Sequence, residues 1–294
     1  MTVQMGIKPI SAGRRVKNGV AQVLVYLAFA VAVVPLVSVL WLVIRNGLKR
    51  FDIEFLTHSM RNIGARDAGG GAYHAIIGTL EQVLLASLIA VPIGLLTAVY
   101  LVEYGNGGRL SRLISFFVDI MTGVPSIVAG LFVLAFWILV LGMTFSGFAG
   151  ALALSILMMP VVVRSTEEML RLVPNELREA SYALGVPKWR TIAKVVLPTA
   201  FTGIVTGVML AVARVAGETA PLLLTVFFTD SINEDPFNGP QMGLPLYVFG
   251  QSALPQDVAI DRAWTGALTL ILIVMLLNLV ARLISWWRSP AKRG

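Results

Sequence analysis

The sequence predicts an all-α polytopic membrane protein with six transmembrane helices. Of its 294 residues, 57% are hydrophobic and only 13% are charged, whereas a soluble domain has about 45–50% apolar and about 25% charged residues. So few charged residues would not keep a chain of this length in solution. The chain also has no cysteine, which excludes disulfides, thiolate nucleophiles and metal sites built on cysteine.

Six apolar stretches are long enough, or nearly so, to cross a bilayer, which takes about 20 helical residues for roughly 30 Å of hydrocarbon. They are Val20–Ile44, Ile76–Val102, Ser126–Gly142, Gly147–Val163, Thr199–Phe228 and Trp264–Trp286. The third and fourth are short and close together, so they predict a helical hairpin. A basic segment before the first stretch is typical of a signal peptide, but this apolar run far exceeds a signal core of roughly 7–15 residues. We therefore expect a retained first helix.

The distribution of Lys and Arg predicts that both termini are cytoplasmic. With the N-terminus inside, 16 of the 23 basic residues fall in inside segments and six in outside segments, which is the bias expected of cytoplasmic loops. The chain then divides into a cytoplasmic tail at 1–19, a transmembrane domain at 20–286 and a second cytoplasmic tail at 287–294. The net charge of +7 follows from this topology and requires no nucleic-acid partner.

The two predicted outer segments carry few candidate site residues. His58 and His74 lie in segment 45–75 beside a run of three glycines. Their spacing is not that of metal ligands, so we interpret both as residues of a solvated loop and expect no metal site. The second outer segment, 229–263, is acidic, and its apolar centre at Met242–Phe249 either dips into the membrane interface or lines an external vestibule.

The inside segment 164–198 is long for a loop, and loops of this length are usually functional. It shows a mixed-charge helical pattern from Glu167 to Arg178. The same segment also contains a short amphipathic helix, whose apolar face is predicted to comprise Leu177, Ala180, Ala183 and Leu184. Gly185, with Pro187 close behind, predicts the end of this helix. Two interpretations remain open, a helix lying on the membrane surface and a knob that inserts into a partner protein.

Part of this segment resembles the EAA loop of ABC importer permeases, whose pattern is E-A-A-x3-G-x9-I-x-L-P. The matching residues are Glu179-Ala180-Ser181, Gly185 and Val195-Val196-Leu197-Pro198, with departures at Ser181 and Val195. The resemblance implies the fold of a type I ABC importer permease, in which this loop is the coupling helix that docks on the ATP-hydrolysing subunit. It assigns ATPase coupling to Glu179, Ala180, Gly185, Leu197 and Pro198.

Three further segments narrow the resemblance to the PstA-type permease family of bacterial phosphate ABC importers. They are Gly123–Leu131, Pro92–Gly94 with Tyr100–Tyr104, and Ala213–Leu222. The family implies a homologous second permease subunit, two ATP-binding cassette subunits and an external phosphate-binding protein, all assembled at the bacterial inner membrane. None of the six lysines follows a glycine, so a Walker A loop is excluded. We expect no cofactor and no ATP hydrolysis in this chain, with ATP used by the partner subunits.

Arg214 is a basic residue deep inside a predicted span, about halfway along the fifth. A charge there costs roughly 2.5–3.5 kcal/mol on insertion scales, and Glu218 lies four residues later, a spacing that places both on one helix face. Two interpretations remain open. The two side chains form an internal ion pair that neutralises both charges, or the guanidinium of Arg214 faces the path of phosphate and Glu218 weakens phosphate binding to it. Gly203, Gly207 and Ala211 recur every four residues and predict close approach of another helix. The predicted substrate pathway comprises Arg214, Glu218 and Thr219.

Other functions compete with phosphate import. A permease for sulfate or molybdate would share the fold, and only the resemblance of segment 213–222 favours phosphate. An ion-coupled secondary transporter would be expected to show paired inverted repeats, which the sequence does not show, and it would need no coupling loop. A membrane-embedded enzyme is disfavoured because the chain has no recognisable catalytic triad, metal cluster or paired intramembrane carboxylates.

Overall fold

A computed structural model describes residues 12–288, and within that range the chain forms helices and no strand. The α-helices are α1 (Ala12–Gly47), α2 (Ile53–Thr57), α3 (Tyr73–Val99), α4 (Arg109–Gly123), α5 (Ser126–Val133), α6 (Gly147–Arg171), α7 (Asn175–Ala183), α8 (Lys188–Thr191), α9 (Leu197–Ala216), α10 (Ala220–Thr225), α11 (Leu244–Ser252) and α12 (Asp257–Arg288). Short π-helical segments, Tyr100–Tyr104, Leu134–Val140 and Ile192–Val196, extend α3, extend α5 and precede α9.

Five helical stretches are long and apolar enough to span a membrane, and they confirm the predicted class. They are Gly13–Arg50, Tyr73–Tyr104, Gly147–Arg171, Lys188–Ala216 and Asp257–Leu283. Arg109–Gly123 and Ser126–Val140 qualify together as a sixth span, although they meet at 106°. The helix α1 forms a unit of its own, and the chain from Gly47 onward forms a second compact unit.

The third span is more complex than the sequence predicted. Only a short loop was expected around 103–113, but α4 begins at Arg109 and is followed by a sharp bend into α5 at Val124-Pro125. Proline at this point forces the preceding residue into an extended conformation, which ends α4. The predicted hairpin is confirmed, because residues 141–146 connect the end of this span to α6 and α5 packs against α6.

The predicted fifth span, Thr199–Phe228, is not one helix. The helix α9 ends at Ala216, and α10 starts only at Ala220. Gly217 carries no side chain that favours a helix, and Pro221 has no N–H to donate to an earlier turn, so the ladder is interrupted between them. Hydropathy alone misses this break because the stretches on both sides of it are predominantly apolar.

The predicted helical pattern from Glu167 to Arg178 is also interrupted. The helix α6 continues past the predicted end of its span to Arg171, and a separate helix, α7, begins at Asn175. Pro174 separates the two because it cannot continue the hydrogen-bond ladder of α6. The amphipathic helix is therefore a distinct element with its own orientation.

The helix α6 lies at the centre of the second unit and packs against α3, α4, α5, α9 and α10. Glycines on its neighbours bring the backbones close. An added Cβ at Gly207 of α9 would lie 2.5 Å from the Cβ of Ser165, and one at Gly94 of α3 would lie 2.8 Å from Cγ1 of Val162. Small residues permit this approach, which maximises van der Waals contact where lipid supplies no hydrophobic driving force.

The apolar centre of the second outer segment folds into the protein. Leu244, Leu246 and Tyr247 of α11 are fully buried, and α11 packs against α3 and α12. The N–H of Leu244 donates to the Thr79 hydroxyl at 2.6 Å. Most of this segment therefore belongs to the protein core, packed against α3 and α12.

The prediction that both histidines lie in a solvated loop is correct for His58 and wrong for His74. His58 is exposed, whereas His74 lies in the first turn of α3 and is buried. Its ring packs edge-on against Tyr247, with centroids 5.7 Å apart. Burial beneath α11 could not be anticipated, because that contact joins distant parts of the sequence.

The predicted topology can be tested by labelling, because the chain contains no cysteine of its own. We predict that a membrane-impermeant maleimide added outside labels Glu234→Cys and leaves Glu176→Cys unlabelled. Both side chains are exposed, so unequal labelling would reflect the side of the membrane. In inverted vesicles the pattern should reverse. Labelling of Glu176→Cys from outside in sealed cells would contradict the assigned orientation.

Candidate substrate pathway and coupling surface

Arg214 lies beside a break in the predicted fifth span and not within one continuous helix, as the sequence had suggested. It occupies the last turn of α9, two residues before that helix ends, and its side chain is 59% exposed. A cation near a helix C-terminus is stabilised by the helix dipole. The cost of placing this charge is consequently lower than the cost at the centre of a continuous helix.

Glu218 lies beyond the end of α9, so the two side chains do not share one helix as the spacing suggested. Arg214 Nε is nevertheless 4.0 Å from Glu218 Oε1, and Glu218 is only 19% exposed. An ion pair this long with an exposed partner contributes at most about 1 kcal/mol. No guanidinium N–H of Arg214 donates a hydrogen bond to another residue in the described part of the chain. The guanidinium thus retains its capacity to bind an anion.

Two of the segments singled out in the sequence meet at this break. An added Cβ at Gly130 of α5 would lie 2.7 Å from Pro221 Cα and 3.0 Å from the Pro221 carbonyl oxygen. The backbones of α5 and α10 are therefore in direct contact. Only glycine fits at position 130, and this contact fixes α10 immediately after Thr219, which is half-buried.

The glycine stripe of α9 packs against α6, as its spacing predicted. Beta-carbons added at Gly203 and Gly207 would collide with Met169 and Ser165 of α6, and Ala211 is fully buried. The helix that approaches this stripe thus belongs to the same chain. Arg214 lies beyond it at the exposed end of α9.

The predicted apolar face of α7 is uncovered in this chain. Leu177, Ala180, Ala183 and Leu184 are all exposed, Leu184 to 83%. Three more large apolar side chains on α7 and its flanks are also exposed: Leu172, Tyr182 and Trp189. We call these seven residues the coupling surface. A concentration of exposed apolar side chains on and around one short helix indicates a binding site for another protein or for lipid.

The remaining residues assigned to coupling occupy two different places. Glu179 is exposed on α7 beside the coupling surface. Gly185 ends the helix with φ +75° and has open space around its Cα, so the left-handed backbone, and not crowding, requires glycine here. Leu197 and Pro198 are half-buried at the start of α9 and do not belong to this surface.

Arg178 is a residue whose importance the sequence did not reveal. The sequence placed it only in a mixed-charge helical pattern, but its side chain is 12% exposed and pairs at 2.8 Å with buried Glu103, in the segment that extends α3. Its guanidinium also donates to the carbonyl oxygens of Leu170 and Val173, at 3.0 and 2.6 Å. These bonds tie α7 to the ends of α3 and α6.

A second connection joins α7 to α8 and, through α8, to α9. The hydroxyls of Ser181 and Thr191 share a hydrogen bond of 2.8 Å that is fully buried. Ser181 stands where the EAA pattern has alanine, so this departure from the pattern supplies the bond. The helix α8, which carries Thr191, continues through a π-helical segment into α9. The coupling surface and Arg214 are thus linked through continuous helical structure.

The fold, the exposed α7 and the broken fifth span define a transport permease. The chain belongs to the family of binding-protein-dependent transport system inner membrane components, whose profile matches residues 90–293. It is similar to the phosphate transport system permease protein PstA 1 of Mycobacterium tuberculosis, with 51% identity over 97% of this chain and 93% of that protein. It is 39% identical to the phosphate transport system permease protein PstA of Pasteurella multocida, over 92% of this chain and 95% of that one.

Solved structures agree on the fold. A chain of the MetNI methionine ABC transporter in an inward-facing conformation superimposes with a TM-score of 0.58 at 21% identity, covering 74% of this chain and 94% of that one. An amino acid ABC transporter crystallised with histidines gives a TM-score of 0.51 at 19% identity, covering 72% and 90%. These likenesses confirm the predicted type I importer architecture. The family and its location confirm the predicted inner-membrane protein.

The ion pair between Arg178 and Glu103 should stabilise the second unit strongly. We predict that Arg178→Gln or Glu103→Gln alone costs about 3–5 kcal/mol, because either change leaves a buried charge without its partner. The double substitution should cost clearly less than the two single costs combined. Thermal unfolding of the purified protein measures these effects.

The control for this experiment is Lys49→Gln, which removes a solvent-exposed partner of Asp261 and should cost about 1 kcal/mol or less. Additive losses in the double variant would show that the two residues do not act as a pair.

Proposed function

We propose that this chain is the membrane-spanning permease subunit of an ATP-driven importer that moves inorganic phosphate across the bacterial inner membrane. The observation that carries the proposal is the 51% identity, over 97% of the chain, to a phosphate transport system permease protein. The same name is carried by relatives at 39% and 40% identity that cover more than nine-tenths of the chain. We accordingly favour phosphate over sulfate or molybdate, and import over secondary transport.

The coupling surface is the docking site proposed for the ATP-binding cassette subunits. It is apolar, exposed and carried by a short helix that Arg178 and Ser181 hold rigidly. A rigid knob loses little conformational entropy on docking, which favours binding. With no Walker A loop in the chain, we assign ATP binding and hydrolysis to two such partner subunits and no cofactor to this one.

Arg214, Glu218 and Thr219 are the residues proposed to meet phosphate. A guanidinium donates paired hydrogen bonds to phosphate oxygens, and Arg214 is exposed beside a break in the helix. A homologous second permease subunit would supply the opposite wall of the pathway. Glu218, 4.0 Å from the guanidinium, repels the anion and shortens its stay, so that phosphate is released and not trapped.

Movement of α7 offers a route by which the ATPase acts on this site. The buried Ser181–Thr191 hydrogen bond attaches α7 to α8, and α8 leads into α9, which carries Arg214 near its far end. A displacement of α7 by the ATPase would thus reorient α9. An external phosphate-binding protein would deliver the substrate on the opposite side of the membrane.

Gly185 tests the docking assignment. We predict that Gly185→Leu lowers co-purification of the ATPase subunit and phosphate uptake by at least about tenfold, because φ +75° disfavours a leucine and distorts the end of α7. Gly142→Leu is the matched control, since it has φ +67° and similarly open surroundings at the opposite end of α6. Normal ATPase recovery and uptake with Gly185→Leu would refute the docking role.

Arg214 tests the pathway assignment. We predict that Arg214→Gln abolishes phosphate uptake while assembly with the partner subunits persists, and that Arg214→Lys retains only a small part, because lysine keeps the charge without the paired donors. The double variant Arg214→Gln with Glu218→Gln should assemble and still fail to transport. Arg112→Gln, an exposed arginine of α4, serves as control. Near-normal uptake by the double variant would mean that Arg214 only neutralises Glu218.

A further inference from the structure

A cavity of about 300 Å³ opens beside the N-terminal end of α6. Three aromatic side chains line it, Trp137 from the end of the third span, Phe148 from the first turn of α6, and Phe237 from the loop after α10. Ser146, Thr144 and Asn238 contribute polar atoms to its wall. None of its lining residues belongs to the coupling surface, and Arg214 is not among them.

The three rings form a continuous wall. The centroids of Trp137 and Phe148 are 5.5 Å apart, and those of Phe148 and Phe237 are 5.2 Å apart. Phe237 is 56% exposed although it lies in a loop outside the spanning helices. An aromatic belt residue would pack against lipid, whereas these rings line one side of a cavity. The faces of aromatic rings carry negative electrostatic potential and attract cations.

The loop that carries Phe237 is held in place by hydrogen bonds. The Phe148 N–H at the start of α6 donates to the Pro236 carbonyl at 2.6 Å. The carboxylate of Asp235 accepts from the Phe237 N–H at 2.9 Å and from the Asn238 side chain at 2.8 Å. These hydrogen bonds within the chain fix the third ring of the wall, so that little further ordering of this loop is needed for a ligand to bind.

Asp235 places a negative charge beside the aromatic wall. The hydrogen bonds from Asn238 and Phe237 lower the pKa of its carboxyl group, because they stabilise the charged form. From Val215 to Asp261 the sequence contains six acidic residues and no Lys or Arg. The surroundings of the cavity therefore complement a cation and repel an anion.

The position of the cavity identifies the side from which a ligand arrives. The helix α6 spans 25 residues, a length of about 37 Å at roughly 1.5 Å per residue. Its first turn lies at the cavity, and α7 with the coupling surface follows its last turn. The cavity is therefore on the face opposite the ATPase docking site, where an external binding protein would approach.

We propose that this aromatic cavity receives a Lys or Arg side chain of the external phosphate-binding protein and so anchors that protein on the permease. The proposal rests on the proposed function, and it adds the site and the chemistry of the contact. Trp137, Phe148 and Phe237 surround the cationic group, and the Asp235 carboxylate pairs with it at the rim. The cavity is large enough for one such side chain.

The test uses the complete transporter in lipid nanodiscs, with its ATPase rate titrated against purified phosphate-loaded phosphate-binding protein. Asp235→Asn and Phe237→Leu should each raise the half-maximal concentration of the binding protein by about tenfold, as expected for loss of an ion pair or a cation–π contact at a docking site. The control Asp257→Asn removes an acid of the same segment, at the start of α12, and should change that concentration by less than about twofold. The rate without binding protein should stay unchanged in all three variants.

A second measurement identifies the cation. Each surface Lys and Arg of the binding protein is changed to Ala and titrated against the wild-type transporter and the Phe237→Leu variant. One position should weaken binding to the wild type by about tenfold and have no further effect on the variant. That pattern would show that the two side chains form one contact.

The outcomes separate the cavity from the proposed function. If binding protein stimulates the wild type and neither Asp235→Asn nor Phe237→Leu shifts the half-maximal concentration, the docking cavity is refuted and the proposed function stands. A shift with Phe237→Leu alone would indicate an apolar occupant and refute the cationic contact. If the variants leave the half-maximal concentration unchanged and alter only the lipid that mass spectrometry detects bound to the transporter, the cavity binds a lipid head group. That outcome would also refute the cationic contact. If phosphate-binding protein never stimulates the wild type, both proposals fail.

Discussion

The helices around α6 approach it closely, and the positions of the other elements depend on this close packing. Within a bilayer the hydrophobic effect does not drive helices together, so van der Waals contact between closely packed helices must do so. Gly94 on α3 and Gly207 on α9 provide that approach from two sides of α6, and Gly150 on α6 itself accommodates Val226 beyond α10. Larger residues at these positions would separate the helices and displace the elements attached to both ends of α6.

Two places along this packed centre carry different chemistry. At the end of α6, Arg178 uses buried hydrogen bonds to fix α7, which leaves the apolar face of that helix free for a partner. Farther along α9, the helical ladder of the fifth span is interrupted, and Arg214 is exposed beside the interruption. Irregular backbone at membrane depth is tolerated where protein buries it or where it lines a cavity. The contact between Gly130 and Pro221 provides part of that cover.

Helical periodicity and the glycine stop were sufficient to predict α7 and its exposed face, since both are local properties of the sequence. The close approach of α9 to another helix was equally visible in its glycine stripe. The role of Arg178 was not, because a buried arginine has the same sequence signature as a solvated one and its partner Glu103 is 75 residues away. The end of α9 at Ala216 was missed because hydropathy does not distinguish one long helix from two short ones, although Gly217 and Pro221 marked the break. His74 was misassigned because its burial depends on α11, which is remote in sequence.

We propose that this chain forms the phosphate path of an ATP-driven importer. The decisive measurement is uptake of labelled phosphate into proteoliposomes that contain the chain assembled with its partner subunits and supplied with phosphate-binding protein. We expect accumulation that requires ATP, is abolished by excess unlabelled phosphate and is unaffected by equal sulfate. Accumulation without ATP, or competition by sulfate as strong as that by phosphate, would contradict it.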